Sequence, residues 1–318
     1  MPELTFSIPY IKLDFYAEIL EDTELPENKV SALRGGMGQM MLRQNCISDR
    51  NCEACMFRKA CLVTHAFYTY MDNKPDYVTG KESVGYLIEC DDKKEGFEKG
   101  ETLVFRLTLF GDSIVYFNIY LQAFCHLGMN GLGRKRSRFG IAQIRNMQGE
   151  KIVSENRVDM NKYRISTLRD YVIRRKDELS SKDGKYRMVF TTPLSMKYQK
   201  KYMNEFYAEA LVKGAARRLQ MLNYYTGHEG AIPEFLKYPV ILSQTVRREQ
   251  SKRYSSTQNT TMPLRGISGT IIFEDIPDEC IDYFLAGEVL HIGKNTSFGF
   301  GRYFISRSGY SEYRLNDV

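Results

Sequence analysis

No run in this chain approaches the roughly 18 consecutive apolar residues that a membrane-spanning helix needs, so no membrane partner is expected. The opening MPELTFSIPYIKLDFYAEIL carries Glu3 and Asp14 and lacks the basic flank of a secretory signal. It reads as a strand, and a cytoplasmic location is expected. That compartment argues against a disulfide framework, although the chain has seven cysteines. Histidine is scarce, with four in 318 residues. The nucleotide fingerprints are also missing. HIGKNTSFGFGRYFI at 291–305 has the glycines, but a helix precedes it and a strand follows. A P-loop and a dinucleotide loop both need strand, then glycines, then helix.

Positive charge is present in clusters. Lysine and arginine outnumber the acids by 45 to 39, a net charge of +6. Residues 134–138 read RKRSR and 247–253 read RREQSKR, and 157–187 hold further bases from Arg157 to Arg187. Clusters of this kind beside glycine-rich loops suit a polyanion such as nucleic acid; the plainer reading of any one cluster is a solvated face.

The element pattern is duplicated. Leu4 to Leu20 alternates like a strand. In ENKVSALRGGMGQMMLR, Val30, Leu33, Met37, Met40 and Met41 recur at helical spacing. VGYLIEC at 84–90 and ETLVFRLTLF at 101–110 read as strands. DSIVYFNIYLQAFCHL at 112–127 reads as a helix, and GMNGLGRKRSRFG then leads into the strand IAQI. The second half repeats this plan: strand at 186–192, helix at 202–225, strands at 239–246 and 268–274, and a helix DECIDYFLAGEVL before the opening motif. Both halves end His-x-Gly, polar glycine loop, Phe-Gly, strand. The expected fold class is therefore α+β, with two tandem ferredoxin-like β-α-β-β-α-β domains. The expected boundaries are 1–150, a basic linker or insertion at 151–185, and 186–318.

Cys46, Cys52, Cys55 and Cys61 have the spacing C-x5-C-x2-C-x5-C. Four thiolates this close can complete a tetrahedral shell, so a structural zinc is expected, with an iron–sulfur cluster as the alternative. Four cysteines leave no open position for a substrate water, so no catalytic metal is expected there. Reduced, unliganded thiols are the plain reading. Cys90, Cys125 and Cys280 lie in apolar runs and read as core residues.

Three stretches resemble the CRISPR precursor-RNA processing endoribonucleases of the RAMP superfamily. They are ALRGGMGQMMLRQNCISDRNCEACMFRKACLVTHAF at 32–67, FYAEALVKGAARRLQMLNYY at 206–225, and RYSSTQNTTMPLRGISGTIIF with LAGEVLHIGKNTSFGFGRYFI at 253–305. The resemblance implies two ferredoxin-like RAMP domains. It also implies metal-independent cleavage of repeat RNA by the 2′-hydroxyl, leaving a 2′,3′-cyclic phosphate and a 5′-hydroxyl. Precursor CRISPR RNA, and other CRISPR effector subunits, are the implied partners. The alternative is a non-catalytic RAMP subunit that only holds guide RNA.

Such chemistry needs a proton shuttle and cations facing the phosphate. His291, Lys294, His65 and Tyr254 are the candidates for the first role. Arg34, Arg134, Lys135, Arg136, Arg138, Arg253, Ser255, Arg265, Ser297, Phe298 and Arg302 are the candidates for holding RNA. For His291 and His65 a structural role is the competing reading. For Phe298 and its neighbour Phe300 it is a place in the core. The glycines beside Arg34 are explained equally well by close helix packing.

Overall fold

The computed structural model describes residues 3–78, 83–154, 157–179, 185–255 and 260–307; the side chains of 251–262 lie outside that description. The first half contains β1 (Pro9–Ile19), α1 (Lys29–Asn45), the short α2 (Leu62–Ala66), β2 (Tyr86–Glu89), β3 (Thr102–Phe110), α3 (Phe117–Asn130), β4 (Phe139–Arg145) and β5 (Lys151–Ser154). After α4 (Leu168–Leu179) come β6 (Tyr186–Leu194), α5 (Ala208–Tyr225), β7 (Ile241–Ser255), β8 (Thr260–Phe273), α6 (Asp278–Leu290) and β9 (Tyr303–Arg307).

Each half builds one antiparallel sheet in the same order. In the first, the strands run β2-β3-β1-β4, extended by β5. In the second they run β7-β8-β6-β9. Both follow the second-third-first-fourth order of a ferredoxin-like unit, so the duplication read from the sequence is a duplication of fold. β1 is buried along most of its length because it is central: Tyr10 to Glu18 pair with Phe110 to Thr102, and its other edge takes β4. Asn28 caps α1 by accepting from the Ser31 amide at 3.2 Å. α1 and α3 then cover this sheet with Leu33, Met37 and Phe124 over Phe15 and Phe105. A second core joins the halves, bringing Ile8, Tyr10 and Phe110 onto Leu211, Leu219, Phe284 and Leu290.

The stretch 151–185, expected as a basic linker or insertion, packs onto both halves. β5 and the two-residue strands Arg157–Val158 and Ser166–Thr167 all pair into the first sheet. α4 instead docks on α6 of the second half. Its Arg175 donates from Nε and Nη2 to the Glu288 carboxylate at 2.9 and 3.1 Å, and from Nη2 to the Ile305 carbonyl at 2.7 Å. Both side chains are buried. The basic composition of this stretch hid one fully paired arginine.

Two further boundaries moved. The helix expected from 202 begins at Ala208, because Lys197–Tyr198 and Lys201–Tyr202 fold back on each other as a small hairpin. The strands expected at 239–246 and 268–274 continue into a long hairpin arm, paired from Ile241↔Phe273 out to Ser255↔Thr260. Its outer part carries no apolar alternation in the sequence, and the two strands stay paired through their backbones there. No helix among the described residues is long and apolar enough to cross a membrane.

Candidate functional site

The loop 291–302 leaves α6 and lies against α1 of the other half. Its course depends on left-handed backbone at Gly293, Asn295, Gly299 and Gly301. A β-carbon on Gly301 would sit 1.8 Å from the Ile292 carbonyl oxygen, so the chain closes only with glycine there. The loop thereby delivers Ser297 and Phe298 to Arg34. Arg34 donates from Nε to Ser297 Oγ and from Nη2 to Ser83 Oγ, both at 3.2 Å. Its guanidinium lies between two rings, 4.3 Å from the centroid of Phe298 and 4.8 Å from that of Phe67. Ser83 is held in turn by the Phe67 carbonyl at 2.7 Å. Three expected residues, Arg34, Ser297 and Phe298, are thus brought into one cluster at the seam of the two domains. Phe67 and Ser83 belong to it and were not anticipated. Phe300 is a core residue, 3% exposed.

The glycines after Arg34 are resolved by their neighbours. A β-carbon on Gly36 would meet Leu127 of α3 at 2.5 Å, whereas Gly35 faces open space. Gly36 is there for helix packing. Gly35 leaves the surface of α1 beside Arg34 bare.

Behind the seam lies a buried polar cluster that takes in two of the expected residues. His291 is 1% exposed, with Nε2 3.3 Å from Glu89 Oε1. Arg302 is 8% exposed and pairs through Nε with Glu89 at 3.0 Å and through Nη1 with Asp91 at 2.7 Å. Both are turned away from solvent and tie the second domain to β2 of the first and the residues just after it. Burial pushes the Glu89 carboxyl up, but Arg302 and then His291 outweigh it and hold the group well below the ordinary carboxylate range. Burial lowers His291, opposed by its contact with Glu89. Burial also lowers Lys12, from its ordinary 10.5 to about 8, against the attraction of Glu89. A signal for this cluster was present: Glu89 is a lone acid inside the apolar run VGYLIEC, and a buried carboxylate requires partners.

The remaining candidates are distributed. Lys294 is exposed, and its amide donates to the Ser195 carbonyl at 2.7 Å. His65 is half-buried on α2, with Nε2 2.6 Å from the Lys59 carbonyl oxygen and its ring stacked on Tyr116 and edge-on to Tyr70. Arg265 is exposed on β8. Arg134, Lys135, Arg136 and Arg138 are exposed on the first domain's own glycine loop, where Lys135 pairs with Glu24 and Arg138 with Glu21. The side chains of Arg253, Tyr254 and Ser255 lie outside the described residues.

Cys46, Cys52, Cys55 and Cys61 line one cavity of about 310 Å3 together with Phe57 and Leu62. Burial raises the Cys52 thiol, and the sulfurs of Cys61 and Cys46 raise it further, which places these groups within electrostatic reach of each other. Among the described residues no three His, Cys, Asp or Glu side chains are closed into a metal-holding arrangement. The donor set is gathered around one space but not drawn together. Of the other cysteines, Cys280 is buried and Cys90 and Cys125 are only partly so.

The fold and the seam together define a tandem ferredoxin-like protein. Residues 7–169, just over half of the chain, match the AF_1859_N N-terminal domain, and residues 188–303 match the CRISPR-associated endoribonuclease Cas6. The chain thus belongs to the family of the AF_1859_N N-terminal domain, and its second half is similar to the CRISPR-associated endoribonuclease Cas6. No curated protein matches it by sequence. Among solved structures, a partial Cas6-RT-Cas1–Cas2 complex aligns at 13% identity with a TM-score of 0.59. That alignment covers 98% of this chain and 48% of the other, so the chain spans about half the length of that relative. Two Cas6 product complexes align at 13% identity, with TM-scores of 0.51 and 0.50, covering 94% and 93% of this chain and 99% and 100% of theirs. These likenesses establish the shared fold.

Proposed function

We propose that this chain cuts CRISPR repeat RNA by attack of the 2′-hydroxyl on the adjacent phosphate, releasing a 2′,3′-cyclic phosphate and a 5′-hydroxyl as it generates guide RNA. The observation that carries the reading is the Arg34–Ser297–Phe298 cluster, in a chain whose residues 188–303 match a CRISPR-associated endoribonuclease. A fixed guanidinium beside bare helix backbone and a glycine loop offers a phosphate charge-assisted hydrogen bonds. The adjoining rings offer faces to unpaired bases. The nucleophile belongs to the RNA, so the protein needs to position the scissile phosphate, offset its charge and move a proton. His65, half-buried among Tyr70 and Tyr116, is the histidine best placed for that proton once His291 is recognised as interior. Lys294 adds an exposed charge on the loop itself.

In this reading the cysteine cavity holds a structural zinc through Cys46, Cys52, Cys55 and Cys61, and it takes no part in cleavage. The spacing and the shared cavity support it. Repeat RNA is the substrate, and other CRISPR effector subunits are candidate partners.

The deciding experiment incubates the purified protein with labelled repeat RNA in EDTA. Cleavage to a cyclic-phosphate end is expected, and a substrate with 2′-deoxyribose at the scissile nucleotide resists it. Tight binding without cleavage would favour a subunit that only holds RNA. Equal cutting of the deoxy substrate would remove the proposed nucleophile.

A further inference from the structure

The small hairpin 197–202 serves none of the features described above. Its ladder pairs Lys197 with Tyr202 and Tyr198 with Lys201. The turn between them places Gln199 and Lys200 at φ 48° and 67°. A two-residue turn with both central residues left-handed ordinarily uses Asn-Gly, because a β-carbon is disfavoured there. Here both positions hold long polar side chains, a strained choice of the kind that persists where a side chain is needed.

The hairpin covers the first turns of α5. Between them lies a cavity of about 280 Å3, lined among others by Lys197, Tyr198, Lys200, Glu209, Lys213 and Arg217. Four cations thus face one carboxylate. Glu209 is already matched, accepting from Lys213 Nζ at 2.6 Å and from the Tyr198 hydroxyl at 2.7 Å. Lys197, Lys200 and Arg217 have no carboxylate partner among the described residues. A concave site with this excess of positive charge selects an anion. Two aromatic rings adjoin its cations: Tyr202 is 61% exposed with Lys197 Nζ 5.1 Å from its ring centre, and Arg217 lies 5.7 Å from the ring centre of Tyr77. The cavity is also placed beside the seam. Ser195, two residues before Lys197, accepts the Lys294 amide of the glycine loop at 2.7 Å.

We propose that this cavity is a second phosphate-binding site for RNA. It holds a backbone phosphate of a single-stranded segment flanking the part held at Arg34 and Ser297, with Tyr202 as a stacking face for an adjacent base. The inference rests on the reading that the chain binds repeat RNA. Its ligand is the phosphodiester backbone, so it contributes affinity and register rather than sequence choice.

Lys200 makes the test clean. Lys200→Gly deletes a cation at a backbone position that favours glycine, so the variant keeps or gains thermal stability while its hold on the phosphate weakens. The experiment measures binding of labelled repeat RNA by fluorescence anisotropy against salt, for wild type, Lys200→Gly, Arg217→Gln, the double variant and Arg34→Ala. Each single change at the cavity is expected to weaken binding several-fold, and the double variant about tenfold or more. The slope of log affinity against log salt should fall by about 0.7 for each single-strand phosphate that the protein no longer neutralises. Wild-type affinity and slope in the double variant, with binding abolished in Arg34→Ala, would overturn this site and leave the RNA reading intact. Failure of the wild-type protein to bind the RNA at all would overturn both.

Discussion

Arg34 and Ser297 are 263 residues apart in the chain and meet at 3.2 Å, guanidinium Nε to hydroxyl Oγ. Through this contact the first helix of one ferredoxin-like unit grips the glycine loop of the other, with the rings of Phe67 and Phe298 on either side of the guanidinium. Arg34→Ala removes hydrogen bonds from a charged donor, each worth about 1.5–3 kcal/mol when made by a charged group. Because Arg34 is only half-buried, a loss of about 2 kcal/mol in urea unfolding is expected, together with weakened RNA binding. Arg34→Lys is not expected to restore binding, since an ammonium cannot bridge two hydroxyls while stacking between rings. Retention of full RNA affinity by either variant would remove Arg34 from the interface.

The two histidine candidates make opposite predictions. His65→Ala should depress single-turnover cleavage of repeat RNA by about 100-fold or more, the usual worth of general acid–base catalysis, with little change in melting temperature. His291→Ala vacates a buried position against Glu89, so it should lower the melting temperature and alter cleavage only as far as it alters folding. A stable His291→Ala protein with abolished cleavage would reverse the assignment.

Arg175 and Glu288 are expected to be the costliest pair to break. Glu288 also accepts from the Tyr171 hydroxyl at 2.8 Å and from the Ile305 amide at 2.6 Å. Glu288→Ala leaves the buried Arg175 with only the partly exposed Glu178, 2.7 Å from Nη1, as its carboxylate partner, so a loss approaching the about 3–5 kcal/mol of a broken buried pair is expected. Replacing both, as Arg175→Met with Glu288→Leu, should cost less than the single change, because no buried guanidinium is left short of its main partner. Chemical denaturation of the three proteins measures the difference.

Lys12 gives a pH signature. Its amine has an ordinary value of 10.5 and is lowered to about 8 in the folded chain. Between those values the unfolded chain holds the proton and the folded chain has released it, so stability rises with pH across that window and the full penalty of burying the charge applies below it. Wild-type stability minus that of Lys12→Met should therefore climb between about pH 8 and 10, at up to about 1.4 kcal/mol per pH unit. A flat difference would show that Lys12 is not perturbed.

The cysteine block predicts one zinc per chain by elemental analysis. Cys52→Ser or Cys55→Ser should lose that metal and lower the melting temperature, while cleavage of repeat RNA in EDTA persists at temperatures where the variant stays folded. Iron with sulfide in the purified protein would indicate a cluster instead.

Local pattern determined much of this protein. Alternating and helical spacings revealed both ferredoxin-like units, and the repeated His-x-Gly loop revealed their duplication, because period and turn chemistry are written in neighbouring residues. The same is true of the cysteine spacing and of Arg34 beside its glycines. Pairing across the seam was not legible. His291 and Arg302 look like site residues in the sequence, yet they are interior, since their partners Glu89 and Asp91 are about 200 residues away in the other unit. The basic run at 157–187 reads as surface, yet it hides Arg175 in the core against Glu288. The burial of a charge depends on which partner the fold brings to it. In a duplicated fold, that partner comes from the opposite half of the chain, and only the tertiary structure decides whether a cation is left for a ligand.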